Sequence, residues 1–331
     1  MLSKRVFAVT IVLTLVAPVD CQDMRKLTAL SQKEGWVFLA YYLAHNKTFQ
    51  VSGGQVDVIY PKTAVVKDLG LDGYRDVDHR AYPSFSSTGD YAAFVRRFSA
   101  SMPDEAITIH SFRDNTSRDL VRLPMQVYGV ASSPDGKAVA FIAKYNNDRA
   151  SRFGLYVVGL HDPHVNALTP LVRLDPNTSI SWSPNGKEIV VQEQLDVSSK
   201  EAHSYAVVVV NRETRARRVA EYARDPSWSQ HGELIAYVDE DGENCHTIKP
   251  DGTNKQRLFS YKESPFFARG YRLTGPLVWS PDMRYLIYHR EDGSTGDKRK
   301  IYLFDLKSKK QDEIFSGSRL EIMAWAIAER K

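Results

Sequence analysis

The chain has 331 residues, of which 43% are hydrophobic and 25% are charged, and its formal net charge at pH 7 is +4. This is the composition of a folded globular protein, and the length suffices for one large all-β domain or two smaller ones. The positive excess is small and forms no basic stripe along the chain, so we expect no nucleic-acid partner.

The first segment, MLSKRVFAVTIVLTLVAPVDCQD, has two basic residues ahead of an uncharged apolar run from Val6 to Val19. A basic start followed by an apolar run too short to span a bilayer is typical of a secretory signal peptide. We therefore predict a signal peptide over residues 1–21, cleaved near Cys21, and a periplasmic or secreted protein with no transmembrane span in the mature chain. An N-terminal membrane anchor or a buried core strand are alternatives, and lipidation of Cys21 is disfavoured by Asp20 before it.

Residues 22–35 are predicted to be a lead-in, and strands follow it. The segments GWVFLAYYLAHN, GQVDVIYP and TAVVKDL predict three strands between Trp36 and Leu69. The segment LTALSQKEGW just before them has a second interpretation, as a degenerate strand that would make the first sheet self-contained.

Similar segments then recur along the chain. PSFSSTGDYAAFV, GVASSPDGKAVAFIA, ISWSPNGKEIVVQ, PSWSQHGELIAYV and LVWSPDMRYLIYH align, and IMAWAIAER is a degenerate last copy. The spacings between the aligned positions are 47, 50, 46, 51 and 46 residues. The aligned positions are Phe85, Ser132, Trp182, Trp228, Trp279 and Trp325. A spacing this regular indicates a repeat architecture.

Each copy predicts a short inner strand, a turn and three further strands. In Ser-Pro-Asp/Asn-Gly, Pro sets φ at the first corner, Asp or Asn bonds back to the backbone, and Gly supplies the positive φ. The apolar runs 138–142 and 234–238 predict the strand after the turn. Four strands per period is the unit of a β-propeller blade, whereas a β-sandwich has no fixed period near 48 and solenoid coils are shorter.

The predicted fold class is therefore an all-β, six-bladed β-propeller with four-stranded antiparallel blades over residues 36–331. Five copies start near Phe85, Ser132, Trp182, Trp228 and Trp279, and the last copy has room for one strand only. We expect the two chain ends to share the sixth blade. Its inner strand would come from Ile322 to Ala326 and its outer three from about Trp36 to Leu69, which would also hold the termini in place.

At this point SPDGKAVAFIA, SWSPNGKEIVV and PSWSQHGELIAYV resemble the WD-like Trp-Ser-Pro-Asp-Gly-Lys repeats of TolB-like β-propellers, and CHTIKPDGTNKQRL is similar to that family's hairpin between third and fourth strands. The resemblance covers roughly Ala81 to Trp325. It implies the propeller fold, since the motif consists of a structural turn and a packing tryptophan. TolB itself carries an α/β domain before its propeller, which the residues ahead of AYPSFSSTGD do not provide.

Catalytic motifs are missing from the sequence. It contains no Gly-x-Ser-x-Gly, no His-Glu-x-x-His and no phosphate-binding glycine loop. His161 and His164 could pair on a metal but are expected to be solvated loop residues, and the acidic stretches 239–244 and 291–300 are expected to be turns rather than calcium loops. We therefore predict no enzyme, no cofactor and no metal site, with Cys245 as a small apolar strand residue that forms no disulfide.

The usable surface of a propeller is the end of the ring whose loops lead into the inner strands. These loops are rich in Arg and Tyr, which are enriched at binding surfaces. The longest of them, around Phe266 to Leu277, is the best single candidate for a contact surface. The predicted partner-binding residues are Arg80, Tyr82, Tyr128, Arg224, Asp225, Phe267, Arg269, Tyr271, Arg272 and Arg319. Ordinary capping and salt bridging by these residues is the alternative.

The sequence thus predicts an exported, monomeric, non-enzymatic scaffold that binds a protein or peptide partner in the cell envelope at the loop end of the channel, by accepting an acidic segment in a basic, aromatic-lined mouth. The alternative is a metal-dependent hydrolase of the lactonase or esterase kind, with a channel metal. Asp78, Asp225 and Glu321 are the carboxylates that could serve it. A third hypothesis is the sensor part of a signalling assembly.

Overall fold

The computed structural model describes residues 25–34, 36–42, 47–52, 55–60, 84–86, 90–98, 104–111, 114, 116–145, 153–169, 174, 179–195, 204–211, 216–260, 272–291, 298–318 and 320–327. Within these ranges one helix, α1 (Arg25–Glu34), precedes an all-β arrangement. The predicted signal peptide lies outside the described residues, so its cleavage stays a prediction. Among the described residues, no helix has the length and apolarity needed to cross a bilayer.

The strands are short, as the repeat predicts. The first eleven are β1 (Trp36–Tyr42), β2 (Lys47–Ser52), β3 (Gln55–Tyr60), β4 (Ser84–Phe85), β5 (Tyr91–Arg97), β6 (Glu105–Ser111), β7 (Thr116–Leu123), β8 (Met125–Ser132), β9 (Ala138–Tyr145), β10 (Gly154–Gly159) and β11 (Val165–Thr169). They are followed by β12 (Ser181–Trp182), β13 (Glu188–Gln194), β14 (Tyr205–Asn211), β15 (Ala216–Glu221), β16 (Ala223–Trp228), β17 (Ile235–Asp239), β18 (Asn244–Ile248), β19 (Gln256–Ser260), β20 (Arg272–Trp279), β21 (Tyr285–Glu291), β22 (Lys298–Asp305), β23 (Gln311–Ser318) and β24 (Leu320–Ile327).

These strands form a β-propeller of four-stranded antiparallel blades. Blade 1 is β4–β7, blade 2 is β8–β11, blade 3 is β12–β15, blade 4 is β16–β19 and blade 5 is β20–β23. The structure thus has five blades that are continuous in sequence, not six. A further four-stranded sheet, which we call the composite sheet, has the order β24-β1-β2-β3 and combines the two ends of the described chain.

The composite sheet explains why the continuous blades number five. After blade 5 the chain supplies a single strand, and β24 completes its hydrogen bonds on β1, with Trp36 opposite Ile327 and Tyr42 opposite Leu320. This is the predicted pairing of the last strand with the strand that starts at Trp36. The alternative strand in LTALSQKEGW is wrong, because its residues 27–34 lie in α1 and only Trp36 belongs to a strand.

Neighbouring sheets contact one another in chain order. The contacts run from β5 to β8, from β12 to β8, from β13 to β16, from β16 to β20 and from β20 to β24. An apolar cluster fills each junction between consecutive blades 1 to 5; Ile107 and Phe141 belong to the first, Leu155 and Val191 to the second.

A buried serine sets the turn after every inner strand of blades 1 to 5. The Ser183 hydroxyl accepts a hydrogen bond from the Glu188 N–H at 2.9 Å, and the Ser183 N–H donates to the Glu188 carbonyl at 2.8 Å. Equivalent side-chain bonds join Ser86 to Tyr91, Ser133 to Ala138, Ser229 to Leu234 and Ser280 to Tyr285. Gly136, Gly186 and Gly232 take the predicted positive φ, and Met283 takes it in blade 5 with φ 58°.

Candidate binding face

Antiparallel pairing brings four strand ends of each blade to one edge. In blade 2 the first residue of β8, Met125, pairs with Tyr145 at the end of β9, and Gly154 at the start of β10 pairs with Ala143. The loops into the inner strands leave from this edge. We call it the loop face, and the opposite edge, which carries the Ser-Pro-Asp-Gly turns, the turn face.

The four long inner strands share an irregularity close to the loop face. The register of β8 shifts between Val127 and Gly129, that of β16 between Arg224 and Ser227, and that of β20 between Thr274 and Val278. In β24, Ala324 and Ile322 pair with consecutive residues of β1, so Met323 is the extra residue. Each shift lies two to four positions before the repeated aligned position. β-Bulges redirect side chains and backbone groups and are common next to functional sites.

Two of the predicted residues, Tyr128 and Asp225, lie at these bulges. Tyr128 is the extra residue of β8, and its hydroxyl donates to the Gln126 Oε1 at 2.8 Å. Its ring meets Phe153 edge to face with 5.0 Å between ring centroids, and the Lys144 ammonium lies 5.7 Å from the centre of the Phe153 ring. This half-buried group forms an aromatic corner with a cation beside it.

Asp225 has an unusual backbone. Its φ is 51°, in the left-handed region that a non-glycine residue rarely adopts, and its N–H donates to the Oε1 of the buried Gln192 at 2.9 Å. The Arg224 Nε lies 4.0 Å from the Asp225 Oδ2, and both side chains are about one-fifth exposed. The structure therefore brings Arg224 and Asp225 together as a half-buried ion pair on β16 rather than as a free charge.

The residue that sequence reasoning missed is Tyr222. It is the sole connection between β15 and β16, its φ is 55°, and its carbonyl accepts the Glu240 N–H at 2.9 Å. Its exposed fraction is 58%, and among the described residues it is the one large hydrophobic residue that is exposed. A solvent-exposed tyrosine in a strained single-residue connection, three positions before Asp225, is an observation that favours a contact role. The only sequence signal was its place in EYARDPS.

A second aromatic group lies at the loop-face edge of blade 1. The Phe98 ring is held between the guanidinium groups of Arg96 and Arg122, whose carbon atoms are 4.4 and 4.1 Å from its centroid. Arg122 pairs with Asp104 and Arg96 with Asp119, the second at 3.3 Å. The Arg122 guanidinium lowers the pKa of the Asp104 carboxyl. Sequence reasoning considered only the loops that lead into inner strands. It missed these residues because Phe98 follows the second strand of the blade, and Arg96 and Arg122 lie near the ends of the second and fourth strands.

Of the seven remaining predicted residues, Arg272 is the one that lies in the described part of the chain. Arg272 is the first residue of β20, so the proposed long loop from Phe266 to Leu277 is shorter than expected, and 272–277 belong to a strand. Six predicted residues lie outside the described ranges: Arg80, Tyr82, Phe267, Arg269, Tyr271 and Arg319. Their contribution to the loop face stays a prediction.

Within the described ranges, no group of three His, Cys, Asp or Glu side chains could hold a metal ion. His161 and His164 are exposed, and Asp162 accepts the His164 N–H at 3.1 Å, as in a turn. The Asp239 carboxylate accepts the N–H groups of Glu243 and Asn244, at 2.8 and 3.0 Å. Burial raises the pKa of the Cys245 thiol, which keeps it protonated.

No family model and no curated protein matches this sequence. Solved structures do resemble the fold. TolB from Acinetobacter baumannii has a TM-score of 0.62 at 13% identity, over 89% of this chain and 67% of that one. An oligogalacturonate lyase in complex with manganese scores 0.51 at 16% identity, over 72% of this chain and 66% of that one. A structure of a nidogen/laminin complex scores 0.55 at 11% identity, over 90% of this chain and 100% of that one.

These likenesses establish the fold and correct one prediction. The chain spans about two thirds of the length of the TolB and lyase structures. Because an oligogalacturonate lyase shares the propeller fold, enzymes exist on this fold and the prediction that this chain is not an enzyme is wrong: the missing motifs belong to other enzyme folds and do not exclude activity on this one. The chain is therefore a β-propeller of a fold shared by TolB-like proteins and by enzymes.

Proposed function

We propose that this protein binds an extended segment of a protein partner on its loop face, at the rim of the channel. The observation that carries the proposal is the repeated bulge of β8, β16, β20 and β24, which places Tyr128, Arg224 and Asp225 on inner strands at one end of the propeller. Exposed Tyr222 and the strained Asp225 backbone lie in the same sector.

The residue types at this rim suit a polypeptide. A tyrosine gives a large contact area at a small loss of conformational freedom, and the half-buried Arg224–Asp225 pair offers a donor and an acceptor to a peptide backbone or side chain. The propeller of the nidogen/laminin structure comes from a protein complex, which supports a protein partner for a ring of this kind. Export through the predicted signal peptide would place that partner in the cell envelope.

Closure of the ring is part of this proposal. Contacts join the five blades and the composite sheet in sequence, and the proposed sixth junction lies between the composite sheet and blade 1. A closed six-membered ring would leave a channel whose loop-face rim is the proposed site, since radial packing leaves only short sheet edges.

Site-specific photo-cross-linking in living cells tests the proposal. A photoreactive amino acid replaces Tyr222 on the loop face, and a matched variant carries it at the exposed Lys187 on the turn face. We expect one discrete protein adduct from position 222, which is lost when Arg224→Ala is added, and none from position 187. No adduct at 222, or the same adducts at both positions, would overturn the proposal.

Metal analysis of the same purified protein keeps the enzymatic alternative distinguishable. A stoichiometric bound metal together with no adduct at position 222 would favour a channel enzyme over partner binding.

A further inference from the structure

The turn face of blade 5 carries a group of exposed basic residues. The turn between β22 and β23 contains Lys307, Lys309 and Lys310, and all three are exposed. The turn is well ordered by hydrogen bonds: the Asp305 Oδ1 accepts the Lys307 and Ser308 N–H groups at 2.8 and 2.9 Å, and the Asp305 carbonyl accepts the Lys309 N–H at 2.8 Å. Three cations are therefore presented by a fixed backbone.

Helix α1 adds three more basic residues to the same side. It ends at Glu34, two residues before Trp36. Trp36 pairs with Ile327 at the turn-face end of β24, and α1 contacts β1, β2 and β23. Leu27 and Ser31 are fully buried, and the Lys26 ammonium donates to the Glu313 carbonyl at 3.0 Å. The packing of Leu27 and Ser31 leaves Arg25, Lys26 and Lys33 exposed.

Helix α1 meets blade 5 through its contacts with β23, the strand that follows the turn at residues 306–310. We call the six exposed residues Arg25, Lys26, Lys33, Lys307, Lys309 and Lys310 the turn-face basic patch.

Among the described residues, few acidic groups offset the patch, and Glu313, whose carbonyl Lys26 contacts, pairs with Lys300 at 2.9 Å. Asp305 pairs with Arg284 at 3.2 Å, and Asp282 accepts the Ser280 hydroxyl and the Arg284 N–H within its own turn. Glu34 pairs with Lys33 at 3.0 Å, and Asp312 is exposed beside the turn. The patch therefore keeps a positive excess on one side of a chain whose formal net charge is only +4. Charge complementarity requires an anionic surface opposite it.

The chain before α1 indicates which anionic surface this is. The apolar run of the N-terminal segment ends at Val19, and α1 begins at Arg25. Six residues can span at most roughly 20 Å, so the patch is held near a bilayer while the predicted signal peptide is uncleaved, and after cleavage near Cys21 the basic residues alone hold the protein there. Basic clusters beside an apolar segment bind anionic headgroups, at about 1 kcal/mol per Lys or Arg close to the surface.

We propose that the turn-face basic patch docks this protein on an anionic phospholipid surface, with the turn face toward the membrane and the loop face toward the aqueous compartment. This proposal stands apart from partner binding, since the two use opposite ends of the propeller and different residues. The docking is electrostatic, so raising the salt concentration weakens it.

Vesicle co-sedimentation tests this proposal. The protein is used as it is purified from cells, without truncation. Vesicles of phosphatidylcholine with about 30% phosphatidylglycerol provide the anionic surface. Vesicles of pure phosphatidylcholine measure any insertion of the apolar run. The triple variant Lys307→Gln/Lys309→Gln/Lys310→Gln is compared with Arg118→Gln/Lys137→Gln/Lys187→Gln, which removes the same charge from the turn-face side of blades 1 to 3.

We expect the natural protein to bind the anionic vesicles and the patch variant to bind them on the order of 100-fold more weakly, while the control variant loses only a few-fold. Equal losses in both variants would show an effect of net charge and would overturn the proposal. Equal binding to neutral and anionic vesicles would overturn it as well, and so would binding to heparin beads without binding to vesicles. Circular dichroism melting curves establish that both variants are folded.

Discussion

The indole Nε1 of Trp182 donates a 3.0 Å hydrogen bond to the backbone carbonyl of Ala131, which lies 51 residues earlier on the inner strand of the preceding blade. The relationship recurs at the other junctions between blades 1 to 5. Trp279 donates to the Ser227 carbonyl at 3.1 Å, while the Ser84 and Ser181 hydroxyls accept the N–H groups of Ser132 and Trp228. In each case the residue before one aligned position bonds to the next aligned position, so the repeat also joins the blades.

Replacing Trp182 with Phe should weaken the junction between blades 2 and 3. The change removes the bond to Ala131 and part of a nearly buried side chain, and we expect the free energy of unfolding to fall by about 1–2 kcal/mol. Denaturant titration measures it. Trp228→Phe is the matched control, because its indole bonds to the Gly232 carbonyl within its own turn. A Trp182 variant as stable as the natural protein would contradict the role of this bond.

Replacing Ser183 with Ala tests the turn serine. The hydroxyl is buried and accepts a hydrogen bond from the Glu188 N–H. Its loss therefore leaves the Glu188 N–H without its side-chain acceptor. We expect a loss of about 1–3 kcal/mol in the free energy of unfolding. The exposed Asn185 in the same turn serves as comparison, and Asn185→Ala should cost less. Urea unfolding of both variants decides which residue stabilises the turn, and a larger loss for Asn185 would show that the serine is secondary.

Backbone strain at Tyr222 gives a prediction in which stability and binding separate. Tyr222→Gly relieves the left-handed φ of 55° and sacrifices little packing, so we expect the melting temperature to stay the same or rise, with a gain of at most about 1 kcal/mol. Partner cross-linking from a neighbouring loop-face position should fall at least about 10-fold, as for loss of a contact tyrosine. Unchanged cross-linking in Tyr222→Gly would remove Tyr222 from the proposed site.

Gly186→Ala gives the reverse case. The φ of Gly186 is 68° and the space around it is open, so backbone strain alone should lower the free energy of unfolding by about 1 kcal/mol.

Truncation tests the composite sheet. Ending the chain after Ser318 removes β24 and leaves the β1 strand, Trp36–Tyr42, without its inner partner. We expect a lower melting temperature, and limited proteolysis should cut first between residues 36 and 60, because an unpaired edge strand is readily opened. Removing only residues 328–331, which follow the last described strand, is the control and should change neither measurement. If the long truncation melts like the natural protein, β24 does not close the fold.

Acid should destabilise the protein through His246. Burial lowers the pKa of this histidine, with the nearby Lys255 contributing, and its ring stacks on Tyr237 with 5.4 Å between centroids. Because the folded state holds the proton less tightly than the unfolded state, stability is lost as pH falls below the unfolded value of about 6.5. Unfolding free energies at several pH values from neutral downward should therefore decline in the natural protein. His246→Gln should flatten the decline; an equally steep one would assign it to other groups.

The sequence by itself determined the period, the four-stranded unit and the place of the turns, because these follow from local chemistry. Gly186 takes its positive φ and Trp182 sits on a short inner strand for reasons that a window of a dozen residues contains. The pairing of the strand at Trp36 with the last strand was also predictable, since a repeat that ends after one strand needs an edge to complete.

Only the tertiary structure decided which side chains share the loop face. The bulges of β8 and β16 depend on the register between strands, which no local signal sets, and they lie near the loop face with Tyr128 and Asp225. Tyr222 became a candidate because the sheet geometry reduces the connection between β15 and β16 to one residue. The basic patch joins α1 to a turn some 280 residues later, and residues that distant in sequence meet because β24 pairs with β1 and brings the two ends of the described chain together.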